Sequence, residues 1–246
     1  MEVKLDLHIH SEHSPDGRMA LDEIVACARA RGLQGVAVCD HDRALTETCN
    51  APDFLLIPGI ELSTDRGHLL GLFVTEQIEA RELDAAIDAV HACGGLAVMA
   101  HPFERSSDAQ RLDAYLDRLA GIEVWNGRAD RKNPQANAMA CALAQRAAKP
   151  VTAGSDAHLP EEIGNGVVTL EADALTLPAV RAALLRGATA VDGRRGKARY
   201  VAESQLTKRR RTHAGAAAYV KWALFAAKCC LQDITWKGET YHVLDR

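Results

Sequence analysis

The sequence predicts an α/β fold in which short strands alternate with helices around a barrel-like sheet. Three observations carry this expectation: the alternation itself, the glycine or proline that ends most helical segments, and polar residues at the ends of successive strands. The β-rich runs are Val3–His8, Gly35–Cys39, Phe54–Leu62, His68–Val74, Leu96–Ala100, Gly121–Trp125, Val151–Gly154 and Gly166–Leu170. Between many of them lie segments of helical period. Leu21–Arg31 puts Ile24, Val25 and Ala28 on one face and stops at Gly32. Leu83–Cys93 aligns Leu83, Ile87 and Val90 and stops at Gly94-Gly95. Asn133–Ala148 is alanine-rich and ends before Lys149-Pro150, and Leu177–Leu185 ends before Gly187. Such alternation implies a mainly parallel sheet. About seven units in about 200 residues suit a closed or nearly closed barrel better than a small open sheet.

In such folds the chemistry sits at the carboxyl ends of the strands. The sequence places its chemical residues there. His8 and His10 end the first run, and Asp40, His41 and Asp42 follow the second. Glu61 ends FLLIPGIE, His101 follows LAVMA, Asn126 and Arg128 follow IEVW, and Asp156 and His158 follow VTAGS. His8 and His10 alternate on a strand and so share a face, from which two imidazoles can converge on one ion. With His41, His68, His101 and His158 near other strand ends, and Asp16, Glu61 and Asp156 beside them, the set reads as a metal site. Imidazole and carboxylate together suit Zn, Mn or Fe. His91, His213 and His242 fall outside this pattern.

Composition sets bounds. The chain has 246 residues, 48% apolar and 25% charged, and a formal net charge of −4. That balance describes a folded domain and excludes wrapping of nucleic acid by bulk charge. Only 4% of residues are aromatic, so no long surface for stacking bases is advertised. Seven cysteines without a CxxC pair read as reduced thiols in a cytoplasmic protein. MEVKLDLHIH reads as a first strand, not a signal peptide. No GxSxG elbow and no Walker-type loop is present.

The expected organisation is a barrel over residues 1–200 and a C-terminal basic and helical extension over residues 201–246. The extension opens with four bases, Lys208–Arg211, and continues through the apolar stretch Ala214–Leu231, interrupted by Lys221 and Lys228. A spanning helix needs about 20 largely uncharged apolar residues. The stretch therefore reads as a helix packed on the barrel or on a partner, with a membrane-surface helix as the alternative.

The elements LHIHSEHSPDG, VCDHD, PGIEL, GHLLGLF, AHP and GSDAH, in this order from Val3 to about Leu170, resemble the polymerase and histidinol phosphatase (PHP) family of metal-dependent phosphoesterases. The resemblance implies a distorted (β/α)7 barrel with two or three divalent ions. It implies His8, His10, Glu61 and Asp156 around a first ion, and Asp16, His41 and His158 around a second. It implies His68 and His101 around a third, with Glu61 as the bridge. Asp16 stands where some relatives carry histidine.

Such a cluster hydrolyses a phosphate ester by a metal-bound hydroxide, without a serine or cysteine nucleophile. Glu61 and Asp156 are the expected catalytic carboxylates and His158 the candidate acid for the leaving oxygen. Arg128 is the preferred phosphate-binding arginine, over Arg18, Arg43 and Arg131. Asn126 and His13 are further substrate-binding candidates, and Asp42 is the expected orienter of a ligand imidazole. The resemblance favours a small phosphorylated substrate: a nucleotide such as a 3′,5′-bisphosphate, or a short oligonucleotide. Histidinol phosphate and the trimming of nucleic-acid ends are the alternatives. A barrel that only binds would show lost ligand positions, and none is lost. The motif set also differs from that of a deaminase or amidase.

Overall fold

A computed structural model describes residues 1–47, 50–51 and 53–245. β1 (Glu2–Ile9) runs through the middle of the sheet; its second half is buried on both faces, so its apolar residues no longer alternate with polar ones. α1 (Leu21–Ala30) turns Ile24 and Ala28 inward, carries Asp22 and Glu23 in its first turn, and is followed by Gly32 at φ 75°. β2 (Gly35–Val38) pairs parallel with β1. β3 (Asn50–Ala51) is a short edge partner of β4 (Phe54–Thr64). β5 (Gly67–Leu72), α2 (Leu83–Ala92), β6 (Leu96–Met99), β7 (Gly121–Asn126), α3 (Ala136–Arg146) and β8 (Val151–Gly154) complete the wall.

Within the continuous sheet, neighbours run β1-β2-β4-β5-β6-β7-β8. The last of these seven then returns to the first. The Asp156 amide donates to the His8 carbonyl at 2.8 Å, and the His10 amide donates to the Ala157 carbonyl at 2.8 Å. The ring therefore closes at the carboxyl ends of β1 and β8, where His8, His10 and Asp156 lie. Gly154 makes this approach possible: a Cβ there would stand 2.2 Å from His8 Cβ. Gly154→Ala is expected to pry the seam open and lower stability by about 1–3 kcal/mol. Thermal unfolding checks this, and an unchanged midpoint would contradict it.

The sheet is mixed, which corrects the expectation of a mainly parallel one. β1-β2-β4 and β6-β7-β8 are parallel, but β4-β5 and β5-β6 are antiparallel. The reason is local. Only Asp65 and Arg66 separate β4 from β5, too few residues for the crossover a parallel pair requires. On the other side of β1, β9 (Gly166–Glu171), β10 (Ala190–Arg194) and β11 (Thr240–Asp245) add antiparallel strands. Between β9 and β10, α4 (Leu177–Arg186) is capped by Thr176.

Two further helices follow β10. α5 (Ala198–Arg211) contains the basic run, and α6 (Ala216–Ile234) packs on it through Trp222, Phe225 and Cys229. The opposite side of α6 leaves Val220, Leu224, Leu231 and Ile234 exposed. The chain then returns through β11 to pair with β10. No described helix is long and apolar enough to cross a membrane. Cys49 lies outside the described residues; the other six cysteines are free thiols.

Candidate metal centre

Each site residue is placed by the strand that precedes it. His8 and His10, fully buried at the end of β1, point their Nε2 atoms at one another, 3.2 Å apart. Glu61 on β4 is held level with them because its amide donates to the Asp40 carbonyl, extending the β2-β4 pairing. Asp16 comes from the loop after β1, His41 from the loop after β2 and His68 from β5. His101, Asp156 and His158 follow β6 and β8. His101 and Asp156 have positive φ, 25° and 54°. Backbone strain of this kind gathers where a side chain must be aimed.

Glu61 is the centre. Its Oε1 lies 2.8 Å from His68 Nδ1, 3.0 Å from His101 Nε2 and 3.5 Å from His8 Nε2. Its Oε2 lies 2.7 Å from His41 Nδ1 and 3.5 Å from His10 Nε2. Asp156 Oδ1 sits 3.2 Å from His10 Nε2. Asp16 Oδ1 sits 3.4 Å from His158 Nε2 and 3.6 Å from His41 Nε2. All nine expected side chains therefore form one cluster. Four overlapping groups offer ligand atoms close enough to share an ion: His8–His10–Asp156, His8–Glu61–His101, His41–Glu61–His68 and His10–His41–His158. His68 and His101 thus fall into different groups, each with Glu61, although the sequence placed them together.

The residues fit a divalent ion on two counts. Glu61 Oε2 and Asp16 Oδ1 are buried, and the nitrogens nearest them, His41 Nδ1 at 2.7 Å and His158 Nε2 at 3.4 Å, are not aligned to donate a hydrogen bond, which is costly unless a cation satisfies the oxygens. The donors are also the mixed nitrogen and oxygen set that Zn, Mn and Fe prefer. Burial pushes the Glu61 carboxyl up, but the imidazoles of His68, His41 and His8 outweigh it and hold that carboxyl well below the usual range. Asp156 is held low in the same way, against its burial, by His8, His10 and His158. Burial lowers His41 and His101, yet the Glu61 carboxylate raises both to about 9. Without metal, His41 and His101 thus hold protons that balance the carboxylates, while burial and the neighbouring imidazoles push His10 down to about 3; ions would displace those protons.

Outer contacts fix how the imidazoles face. His8 Nδ1 is 3.0 Å from Glu123 Oε1, which leaves its Nε2 for the cluster. Ser14 Oγ donates to Asp40 at 2.6 Å and so accepts from His10 Nδ1 at 3.0 Å, directing His10 Nε2 inward as well. His158 Nδ1 is held by the Asp156 carbonyl at 2.9 Å. Glu123 and Ser14 were not legible in the sequence, and Asp40, placed there at a strand end, had no role assigned. The available signal was Glu123 itself, an acid inside the apolar strand GIEVW, which must find a partner. Asp42, expected in this role, instead binds Arg81 at 2.7 Å and the Ser63 amide. It sits beyond the loop bend at φ 53°, turned outward from the imidazoles. Glu123→Gln is expected to weaken metal affinity by about 10–100-fold with the fold intact. Calorimetric titration with Mn or Zn reads this, and unchanged affinity would remove Glu123 from the site.

Above the cluster a small cleft of about 90 Å³ is rimmed by Arg105, Arg128, Arg131 and Lys132, with Val201 and Gln205 of α5 on the facing side. Arg128 reaches this cleft, but it is tied down. Its Nε donates to Glu162 Oε1 at 2.8 Å, its Nη2 to Oε2, and its Nη1 to Ser204 at 3.2 Å. Burial lowers its pKa, and the Glu162 carboxylate raises it by more. Asn126 is buried, with its amide spent on Glu123, Asp156 and the amides of Arg128 and Ala129. That places it beside the cluster as a support. His13 and Arg18 do not line the cleft; Arg18 is exposed and pairs with Glu203 at 3.6 Å. His91, His213 and His242 lie outside the cluster.

A seven-strand ring with a buried His, Asp and Glu cluster at its carboxyl edge defines a metal-dependent hydrolase. Comparison with known proteins gives the family. The PHP domain model matches residues 6–125, and the PHP-associated model matches residues 134–189. An uncharacterised Methanocaldococcus jannaschii protein, MJ0417, is 32% identical over 177 residues, covering 68% of this chain and 70% of that one. A two-domain Bacteroides vulgatus protein containing a predicted PHP-like metal-dependent phosphoesterase superposes with a TM-score of 0.60 at 18% identity, over 84% of this chain and 70% of that one. A lesion-specific endonuclease of Pyrococcus furiosus gives 0.56 at 19% identity, over 78% and 58%. The chain belongs to the PHP family and is a PHP-type metal-dependent phosphoesterase.

Proposed function

We propose that this protein hydrolyses phosphate monoesters of small molecules, with nucleotides such as 3′,5′-bisphosphates or short oligonucleotides as the preferred class. The observation that carries the proposal is the gathering of eight His and Asp side chains around Glu61 beneath a cleft lined by arginine and lysine. The nine residues would hold two or three ions of Mn, Zn or Fe. When bound, such ions ionise water near neutral pH and neutralise a phosphoryl group.

The chain's own residues then divide the work. Glu61, with an oxygen toward each side of the cluster, joins its two halves. Asp156 anchors His10, and its carbonyl holds the His158 ring. The Nε2 of His158 faces Asp16 and is the candidate proton donor for the leaving oxygen. Arg128 has five N–H protons. Three are engaged by Glu162 and Ser204, and the other two are available to a phosphate oxygen in the cleft. Arg131 stands at the rim as well, beside Arg105 and Lys132, which pair with Glu104 at 3.2 and 2.7 Å. The small cleft admits a phosphoryl group and leaves the rest of the substrate to lie along that rim.

A phosphate-release screen with Mn tests this reading over nucleotides, 3′,5′-bisphosphates, short 5′-phosphorylated oligonucleotides and histidinol phosphate. Release from the nucleotide group at the highest kcat/KM is the expected result, and release from histidinol phosphate alone would reject the preferred class. End-trimming of nucleic acid is the second reading. The basic run on α5 favours it, and the endonuclease neighbour is in keeping with it.

A further inference from the structure

We infer that a cavity beside the metal cleft is the pocket for the alcohol side of the ester, and that it selects alcohols carrying a second phosphate. The inference rests on the phosphoesterase reading above and deepens it by assigning residues that choose among phosphate esters. The cavity measures about 480 Å³ and lies where the loop of residues 127–134 meets the start of α5 and the end of α6. Both helices lie beyond residue 189, where the second family model ends, so nothing in the family match assigns this wall a role.

The cavity and the cleft share walls. Arg128, Arg131 and Val201 line both. Along α5 the two spaces follow one face. Ala198 and Val201 line the cavity, and Val201 and Gln205 line the cleft. These residues stand at i, i+3 and i+7, which share one side of a helix. Opposite them, Arg128 and Arg131 stand three positions apart, joined by a 3-10 turn. From Gln205 to Ala198 the helix rises about 10 Å. A phosphoryl group in the cleft therefore has its leaving group within reach of the cavity, and a nucleoside spans the distance.

The charges around the cavity are not balanced. Four cations line it, Arg128, Arg131, Arg195 and Lys197, against two carboxylates, Asp130 and Asp233. Glu162 holds Arg128, and Asp130 holds Arg195 at 2.8 Å. Asp233 accepts from the amides of Ala198 and Arg199 at the start of α5. Arg131 and Lys197 make no ion pair among the described residues. Arg131 Nε is also buried without a hydrogen-bond partner, and its guanidinium lies 5.5 Å from the centre of the Phe225 ring. A buried donor left so is costly unless a ligand satisfies it. Lys197 Nζ rests 4.7 Å from the centre of the Trp236 ring, whose Nε1 donates to the Arg195 carbonyl at 2.9 Å. The indole thus forms a fixed apolar wall with an ammonium beside it. Two unpaired cations and such a wall match a phosphate carried on a nucleoside.

Two sources could supply that phosphate: a second phosphate on one nucleoside, or the next phosphodiester of a short strand. The test compares the metal-loaded wild-type protein with Lys197→Gln, which removes the charge, and Lys197→Arg, which keeps it. Three ligands are used: adenosine 5′-monophosphate, adenosine 3′,5′-bisphosphate and a 5′-phosphorylated diadenylate. For each, kcat/KM is measured by phosphate release, and Kd by calorimetry with the unhydrolysable phosphonate analogue at low and high salt. The wild type is expected to favour at least one of the two larger ligands over the monophosphate by on the order of tenfold, less at high salt. Lys197→Gln is expected to cut that preference to about twofold or less, and Lys197→Arg to keep most of it. The larger ligand that carries the preference identifies the source, and a preference shared by both shows that the pocket reads the phosphate alone. A wild type without preference would overturn the inference. So would an equal loss for all three ligands in Lys197→Gln, the mark of a structural role at the Trp236 contact, or no response to that change. Should no ligand be hydrolysed, the nucleotide reading falls, and the salt-sensitive gain in Kd still decides the pocket.

Discussion

Glu61→Ala is expected to abolish hydrolysis and metal retention together, with a loss of at least about a thousandfold in kcat/KM. No other side chain in the cluster touches so many of its members. Its two oxygens lie within 3.5 Å of His8, His10, His41, His68 and His101. Removing the carboxylate deletes a negative charge shared by both sides of the site and leaves five imidazoles crowded without it. Metal content by elemental analysis and activity by phosphate release are expected to fall in parallel. Full metal content with lost activity would make Glu61 a catalytic group and not a bridge. Retained activity would sink the cluster model.

The second large effect belongs to Arg128→Ala, and it has two parts. Glu162 is buried, and Arg128 is its bidentate partner. Truncating the arginine strands that carboxylate, at a cost of about 3–5 kcal/mol. The melting temperature is expected to fall by roughly 10 °C. Glu162 Oε2 also accepts from the His158 amide at 3.1 Å, so the loss is felt at the cluster. In addition, the KM for a phosphate ester is expected to rise, because the cleft loses a cation. The double variant Arg128→Ala/Glu162→Ala separates the two. It is expected to recover stability but not KM. Recovery of both would confine Arg128 to a structural role, and recovery of neither would reject the assigned pairing.

The sequence disclosed the cluster because its residues obey a positional rule. Polar groups that follow apolar strand runs cannot be core, and their repetition at successive strands marks one rim. That reasoning found seven of the nine side chains without knowing the order of the strands; His68, which opens its run, and Asp16, in the loop after the first, belong to the motifs GHLLGLF and LHIHSEHSPDG. It did not find Glu123, Ser14 or Glu162, and it gave Asp40 a place but no role. Each is a single polar residue with a partner in another element, 115 positions away for Glu123 and His8, 34 for Glu162 and Arg128 and 26 for Ser14 and Asp40. The antiparallel direction of β4-β5 is set by the two-residue link between them and not by the pattern of either run. β10 and β11 escaped notice for another reason: Ala190–Arg194 and Thr240–Asp245 are short and mixed in polarity, so their pairing is set by tertiary contact. The basic run was legible as charge, but the approach of Lys208 to within 4.0 Å of Asp16 depends on the packing of α5.

The central claim is that the cluster is a working metal centre for phosphate-ester hydrolysis. Phosphate release by the purified protein, before chelation, after it and after addition of Mn, tests that claim most directly. Loss on chelation and recovery with Mn is the expected result, with the recovered rate following bound metal. Release that continues unchanged in protein shown by elemental analysis to be free of metal would contradict it.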